Sequence, residues 1–257
     1  MDEPADAARA APRYHDCMTA FILSAPLQPL LARIETMACE AGLEAYVVGG
    51  SVRDALLGRP MRDLDIAVDR DAMAFARRVA GAFGGHFVPL DDERVIARIV
   101  LDGADVSYMD IAQLQGSLED DLRRRDFTVD ALAVRVGNSD VIDLCGGLDD
   151  LAARRVRMTA ERAFDDDPLR LLRGARIAAE LGFEIEPATA TAIRDRAPRV
   201  LEAAAERRRD EKMQGFHFDG SCHVMRGCCR SAAVFYPRSA ASICVHRRLI
   251  RLKRDSF

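Results

Sequence analysis

The clearest pattern in the chain is an alternation of apolar and acidic residues at 63–68. Leu64, Ile66 and Val68 alternate with Asp63 and Asp65. Because a strand points successive side chains to opposite faces, this pattern predicts a half-buried strand whose two carboxylates project side by side. Carboxylate oxygens suit Mg²⁺ or Mn²⁺ better than zinc. The pattern therefore predicts a divalent-cation site on the polar face of this strand.

A glycine turn lies shortly before this strand. A short apolar run, typical of a strand, leads into Gly49 and Gly50. Ser51 follows with Asp54 three residues later, which is the spacing of a capping box and predicts the start of a helix. A helix that begins on glycines presents N–H groups to a phosphate, and Arg53 would add a guanidinium there. Phosphate-binding groups beside metal-binding carboxylates are what phosphoryl or nucleotidyl transfer requires.

The remaining hydrophobic periodicity predicts a chain that mixes helices and strands. Apolar residues recur at helical spacing in three segments, and β-prone runs separated by polar turns occupy the region after the second helix. Helices are expected at 29–42, 71–84 and 189–197, and strands at 46–48, 63–68, 86–89, 95–101, 105–111 and from 141. This order predicts an α+β fold.

The motifs resemble a known family. Gly-Gly-Ser followed by Asp-x-Asp is similar to the nucleotidyltransferase superfamily that includes polymerase β, and GGSVRDALLG…RDLDIAV resembles bacterial tRNA nucleotidyltransferases and poly(A) polymerases. The strings at 124–131 and 167–176 resemble two later motifs of that family, in the same order. The resemblance covers about 27–211. It implies a nucleotidyltransferase head, with a mixed β-sheet flanked by helices, followed by an α-helical neck.

The resemblance also implies roles for residues in the head. In the family a third carboxylate joins the paired aspartates from a neighbouring strand. Asp110 is the best match, with Asp105 as the alternative. The resemblance implies that Arg125 contacts the nucleotide and that Asp126 helps to hold the site and the sugar. Asp130 stands where the family usually has Asn, which replaces an amide donor by a carboxylate acceptor and puts sugar recognition there in question.

A basic helix follows the head. Asp167 before a proline predicts a helix N-cap, and Arg170, Arg173 and Arg176 recur every three residues along one side. Periodicity alone favours an ordinary amphipathic helix. The resemblance implies instead that these four residues belong to a nucleotide-binding helix. Asp167 and Arg170 would then hydrogen-bond the Watson–Crick edge of the incoming base.

Composition divides the chain further. We expect a loosely ordered leader at 1–26, a catalytic head at 27–160, a helical neck at 161–211 and an atypical basic, Cys-rich tail at 212–257. No apolar run is long enough for a membrane span or placed as a signal peptide would be, so we expect a cytoplasmic protein with free thiols. The net charge of −4 does not argue against an RNA partner, because contacts with RNA are local.

Together these features predict a metal-dependent nucleotidyltransferase. The resemblance implies that it adds C and/or A to the 3′ end of tRNA without a template, from CTP and ATP, with Mg²⁺ or Mn²⁺ as cofactor and release of pyrophosphate. Two alternatives stay open. One is a poly(A) polymerase of the same fold, and the other is a non-catalytic remnant that binds nucleotide or RNA. We expect no membrane partner.

Overall fold

The computed structural model describes residues 27–61, 63–101 and 106–201. The chain divides into two units, 1–152 and 153–257. The elements of the first unit are α1 (Leu27–Ala41), β1 (Ala45–Val48), α2 (Gly50–Leu56), β2 (Asp63–Val68), α3 (Ala72–Phe83), β3 (His86–Asp91), β4 (Ile96–Val100), β5 (Tyr108–Gln113), α4 (Leu118–Arg123), a 3₁₀ turn (Thr128–Asp130), β6 (Leu132–Arg135), β7 (Val141–Asp143) and α5 (Gly147–Ala152).

The seven strands form one mixed sheet. Their order across the sheet is β3-β4-β5-β2-β1-β6-β7. β2 and β5 run parallel, and the other neighbouring strands run antiparallel. This confirms the predicted α+β fold with a mixed sheet flanked by helices.

The alternation along β2 separates core from site. Leu64 and Ile66 are almost completely buried, and Phe75 and Val79 of α3 are buried in the same unit. Fully burying each such side chain contributes about 1.5–3 kcal/mol. Asp63 and Asp65 alternate with Leu64 and Ile66 along β2. The two aspartates lie on the opposite face and keep contact with water. Burial of the apolar face therefore fixes the direction in which the two carboxylates point.

Helix ends follow the glycine signals in the sequence. α1 ends at Ala41 and α3 ends at Phe83, and each is followed by a glycine with φ of 64°, Gly42 and Gly84. A left-handed residue at this position suits glycine, which has no Cβ to clash. The expected ends of both helices are confirmed.

The second unit is smaller in its described part. Its elements are β8 (Arg155–Val156), α6 (Ala163–Asp166), α7 (Arg170–Leu181), β9 (Glu184–Ile185), α8 (Pro187–Arg196) and a 3₁₀ turn (Ala197–Leu201). β8 and β9 pair in parallel. Helices dominate, as expected for a neck. The predicted domain limits stay predictions, since the leader at 1–26, the neck beyond 201 and the tail at 212–257 lie outside the described residues.

No helix within the described ranges has both the length and the apolar character to cross a membrane. Cys39 and Cys145 carry free thiols, as expected.

Candidate active site

The parallel pairing of β2 with β5 brings three predicted carboxylates to one part of the sheet. In this register Asp65 lies opposite Asp110, and Asp63 lies opposite Tyr108. Residues at matching positions of neighbouring strands point to the same face. The structure therefore places Asp110 next to the paired aspartates. The alternative, Asp105, lies outside the described residues.

The ionised form of Asp65 is disfavoured in the folded protein. Burial raises the pKa of its carboxyl group, and the nearby charge of Asp110 raises it further, to about 6. The positive charge of Arg125 acts in the opposite direction and only partly offsets these effects. A carboxylate whose ionised form is disfavoured by its neighbours gains from any cation that arrives beside it.

Asp110 is held by an arginine that the sequence did not single out. The Nε of Arg98 donates to Oδ1 of Asp110, and an NH2 group donates to Oδ2, both at 2.8 Å. These hydrogen bonds raise the pKa of Arg98 above its ordinary value. Both oxygens of the third carboxylate therefore face a guanidinium.

The carboxylates of Asp63, Asp65 and Asp110 are suitable ligands for a divalent cation, although they are not arranged as a preformed coordination site. In the parts of the chain that the structure describes, no three His, Cys, Asp or Glu side chains stand together as a ready metal-binding group. Asp63 and Asp65 nevertheless offer oxygen ligands on one strand face, and burial together with the charge of Asp110 raises the pKa of Asp65. Oxygen ligands of this kind suit Mg²⁺ or Mn²⁺.

The turn before α2 is built differently from the sequence prediction. Gly49 is the N-cap of α2, and no side chain caps the helix, so the predicted capping box of Ser51 and Asp54 is wrong. Ser51 lies inside the helix, and its hydroxyl is used elsewhere. It donates to the carbonyl of Asp63 at 3.3 Å and accepts the N–H of Asp65 at 2.8 Å. This serine therefore fastens α2 to the strand that carries the carboxylates.

Gly49 is required for space as well as for conformation. Its φ is 67°, and a Cβ atom there would lie 2.8 Å from a guanidinium nitrogen of Arg125 and 3.9 Å from Oδ2 of Asp65. Its own N–H already donates to the carbonyl of Leu132 at 3.0 Å. The role of this glycine is to let the arginine and the carboxylate approach the backbone closely.

Arg125 is oriented by Asp121, which sequence reasoning missed. Asp121 is only 2% exposed and accepts from Arg125 at 3.0 and 3.3 Å. It also pairs with Arg124. Burial alone would raise the pKa of Asp121, but the charges of the two arginines outweigh this effect and lower it. The spacing of Asp121 four residues before Arg125 was a signal, since such residues meet on a helix face.

Arg53 lies in a buried ion pair. Its guanidinium donates to Asp130, and it also donates to both carboxylate oxygens of Asp54, at 3.0 and 3.2 Å. Arg53 and Asp130 are both buried. The carboxylate that replaces the family's usual Asn at position 130 is thus the ion-pair partner of Arg53. The predicted contact of Arg53 with phosphate stays a prediction, and Gly50 lies beside its guanidinium.

Asp126 is buried, and it belongs to the loop between α4 and the 3₁₀ turn. Its carboxylate accepts the N–H of Phe127 at 3.1 Å. The predicted contact with the sugar stays a prediction.

The basic helix of the second unit begins later than predicted. α7 starts at Arg170 with Leu169 as N-cap, so Asp167 is not its N-cap. The carboxylate of Asp167 accepts the N–H of Leu169 at 3.0 Å, and this hydrogen bond stabilises the turn that leads into the helix. Arg170 donates to the carbonyl of Ala163 at 2.9 Å. The predicted N-cap was therefore wrong by two residues, because a proline can begin a turn before the helix proper.

The three arginines of α7 lie within one helix. Arg170, Arg173 and Arg176 are each partly buried, and the helix ends at Leu181 with Gly182 as its C-cap. Their predicted role in nucleotide binding stays a prediction.

Comparison with known proteins now gives the family. Residues 45–157 match the model of the poly(A) polymerase head domain. Residues 182–220 match a second model, described as a probable RNA- and SrmB-binding site of polymerase A. The chain belongs to the tRNA nucleotidyltransferase and poly(A) polymerase family. The resemblance in the glycine turn and the Asp-x-Asp strand is confirmed.

Relatives within this family are close. The chain is 48% identical over 190 residues to the CC-adding tRNA nucleotidyltransferase of Geobacter sulfurreducens. This alignment covers 74% of this chain and 43% of the relative. The chain is 43% identical over 190 residues to the CCA-adding enzyme of Streptococcus pyogenes, covering 70% of this chain and 46% of the relative. The chain therefore spans less than half the length of these family members.

A solved member of the family has the same fold. The Thermotoga maritima CCA-adding enzyme complexed with tRNA matches with a TM-score of 0.68 and 30% identity, over 80% of this chain and 50% of that one. The nucleotidyltransferase head predicted from the motifs is confirmed as the fold.

Proposed function

We propose that this protein is a template-independent RNA nucleotidyltransferase that adds C and/or A to the 3′ end of tRNA. The observation that carries this proposal is the juxtaposition of Asp65 and Asp110 on parallel strands, beside Gly49 and Arg125. Nucleotidyl transfer needs metal-binding carboxylates next to groups that bind a triphosphate. The names of the relatives in Geobacter and Streptococcus support C and A as the nucleotides.

The carboxylates would hold Mg²⁺, with Mn²⁺ as the substitute. Asp63 and Asp65 would be the main ligands, and Asp110 would complete the set. A bound divalent cation would lower the pKa of the RNA 3′-hydroxyl and neutralise charge on the α-phosphate. The burial of Asp65 beside the charge of Asp110 supports this assignment, since a cation would stabilise the ionised carboxylate.

Arg125 would bind the triphosphate of the incoming nucleotide. Its guanidinium is pre-oriented by Asp121 and lies against Gly49 without an intervening side chain. An arginine already fixed by a buried carboxylate loses less rotamer freedom when it binds a phosphate. Gly50 at the start of α2 and Arg53 would complete this side of the nucleotide site, and Asp126 would support the loop and the sugar.

Helix α7 would select the base. A carboxylate accepts from an exocyclic amine, and a guanidinium donates to a ring nitrogen or carbonyl. Cytosine and adenine carry the amine, so Asp167 and Arg170 together would favour CTP and ATP. Arg173 and Arg176 would extend the positive surface of the same helix.

The decisive experiment is a nucleotide-incorporation assay. Purified protein is incubated with tRNA transcripts that lack the 3′-terminal CCA, CA or A, with Mg²⁺ and each labelled nucleotide separately. Sequencing the products distinguishes addition of CC, CCA, A alone and poly(A). The matched control is Asp63→Asn together with Asp65→Asn, which keeps the shape of both side chains and removes both charges.

We expect defined C or A addition by the native chain and none by the control. Incorporation that persists in the control would refute the metal assignment. Native protein that binds CTP or ATP in equilibrium dialysis but incorporates neither would favour the non-catalytic alternative.

A further inference from the structure

Arg98 lies among the carboxylates of the site, yet none of the roles proposed above uses it. Its guanidinium donates two hydrogen bonds of 2.8 Å to Asp110, one to each carboxylate oxygen. Two parallel hydrogen bonds of this kind add both energy and geometric specificity to an arginine–carboxylate pair. Both oxygens of the third carboxylate are therefore engaged by this arginine.

The position of Arg98 follows from the sheet. Arg98 on β4 lies opposite Asp110 on β5, and Asp110 lies opposite Asp65 on β2. The three side chains form one row across three neighbouring strands and point to the same face. The ring of Tyr108 lies 5.0 Å from the guanidinium carbon and helps to keep the arginine over the sheet.

A metal ion and this arginine have opposing demands. A divalent cation shared with Asp65 needs a free oxygen of Asp110, whereas both oxygens of Asp110 accept hydrogen bonds from Arg98. The arginine also carries a positive charge that would repel the incoming cation. The pair is only partly exposed, with 37% of the Arg98 side chain and 23% of the Asp110 side chain accessible, so water screens this competition incompletely.

We propose that Arg98 is a resident counter-ion that a divalent cation displaces from Asp110 when the active site is loaded. The arginine then lowers the affinity of the site for metal and holds the third carboxylate in place while the metal is absent. This inference rests on the proposed function, because it takes Asp110 as a ligand of the metal.

The test is metal binding, measured without turnover. Binding of Mn²⁺ to the 257-residue protein is followed by the loss of the free-ion signal in electron paramagnetic resonance. Arg98→Gln should tighten Mn²⁺ binding about ten-fold, equivalent to ~1.4 kcal/mol. Arg98→Gln should also lower the melting temperature of the metal-free protein, since Asp110 loses its partner.

The matched control is Arg94→Gln. Arg94 belongs to the same β3–β4 hairpin and pairs with Asp91 at 3.9 Å, with 55% of its side chain exposed. This variant removes the same charge but leaves the pair of Arg98 and Asp110 intact, so its Mn²⁺ affinity should match that of the native protein.

The Asp110→Asn variant distinguishes displacement of Arg98 from a general electrostatic effect of Arg98 on the whole site. In an Asp110→Asn protein, Arg98 has no carboxylate at position 110 to release, so Arg98→Gln should change Mn²⁺ affinity less than two-fold. A ten-fold gain that persists in this background overturns the proposal, because Arg98 would then act on the whole site. Unchanged or weaker Mn²⁺ binding in the single Arg98→Gln variant also overturns it.

These measurements distinguish failure of the proposed function from failure of the inference about Arg98. If the native protein binds no Mn²⁺ and Asp63→Asn changes nothing, the metal site itself is refuted. If the native protein binds Mn²⁺ and Arg98→Gln binds it equally well, only the inference about Arg98 fails.

Discussion

Replacing Asp65 by Asn should stabilise the metal-free protein at neutral pH while it removes activity. The pKa of this carboxyl group rises from 3.8 to about 6 in the folded protein, because of burial and the charge of Asp110. A pKa difference of one between the folded and unfolded states corresponds to about 1.4 kcal/mol, so ionised Asp65 costs the fold up to ~3 kcal/mol. Asp65 keeps some contact with water, so screening makes this value an upper limit.

The sign of the pH dependence follows from proton binding. Between about pH 4 and pH 6 the folded state holds a proton on Asp65 that the unfolded state has already lost. Stability therefore falls as the pH rises through this window, and the loss is complete above about pH 6. Asn cannot ionise, so Asp65→Asn should gain stability relative to the native protein as the pH rises, and the difference should become constant near pH 7.

The assay is urea denaturation in EDTA at pH 4, 5, 6 and 7.5, with midpoints and slopes compared between proteins. Asp63→Asn is the matched control, because Asp63 lies on the same strand face but is exposed. The difference in free energy of unfolding between Asp63→Asn and the native protein should vary much less with pH, because the exposed carboxylate of Asp63 keeps its hydration while Asp65 is present in both proteins. An Asp65→Asn protein that is less stable at pH 7.5, or whose difference does not vary with pH, would contradict the charge argument.

Three further predictions concern Gly49, Asp130 and Arg170. Gly49→Ala should lower the free energy of unfolding by more than about 1 kcal/mol and weaken CTP binding, as measured by urea denaturation and nucleotide titration. Gly58 has a similar φ but open space around it, so Gly58→Ala should lose only about 1 kcal/mol of stability, through backbone strain alone. Asp130→Asn should destabilise the fold by about 1–3 kcal/mol, because buried Arg53 loses a charged partner; an unchanged urea midpoint would argue against this. Arg170→Ala should raise UTP and GTP incorporation relative to CTP and ATP by roughly five- to a hundred-fold. An equal loss for all four nucleotides would assign Arg170 to the fold.

The sequence predicted those features that depend on short-range pattern. The alternation at 63–68 was enough to predict β2 and the shared face of Asp63 and Asp65. Glycines at the ends of α1 and α3 were enough to place those ends. In each case the physical cause lies within a few residues, so local propensity and periodicity report it directly.

The features that were missed depend on partners distant in sequence. Ser51 has the spacing of a capping residue, but its hydroxyl bonds to the backbone of β2 instead. The grip of Arg98 on Asp110 depends on the register between β4 and β5, which no single-strand pattern contains. The adjacency of Asp65 and Asp110 was expected only from the family resemblance, because spacing cannot reveal which strands become neighbours.

The parallel pairing of β2 with β5 has a consequence for how the molecule is made. Parallel neighbours need a long crossover, and here α3, β3 and β4 all intervene before the chain returns. Such contacts of high sequence separation form slowly, and here they also bring like charges together. We therefore expect the pairing of Asp65 with Asp110 to form late in folding. A nascent chain that has not yet reached β5 would have no complete carboxylate cluster, so catalytic competence would appear only when this part of the sheet is finished.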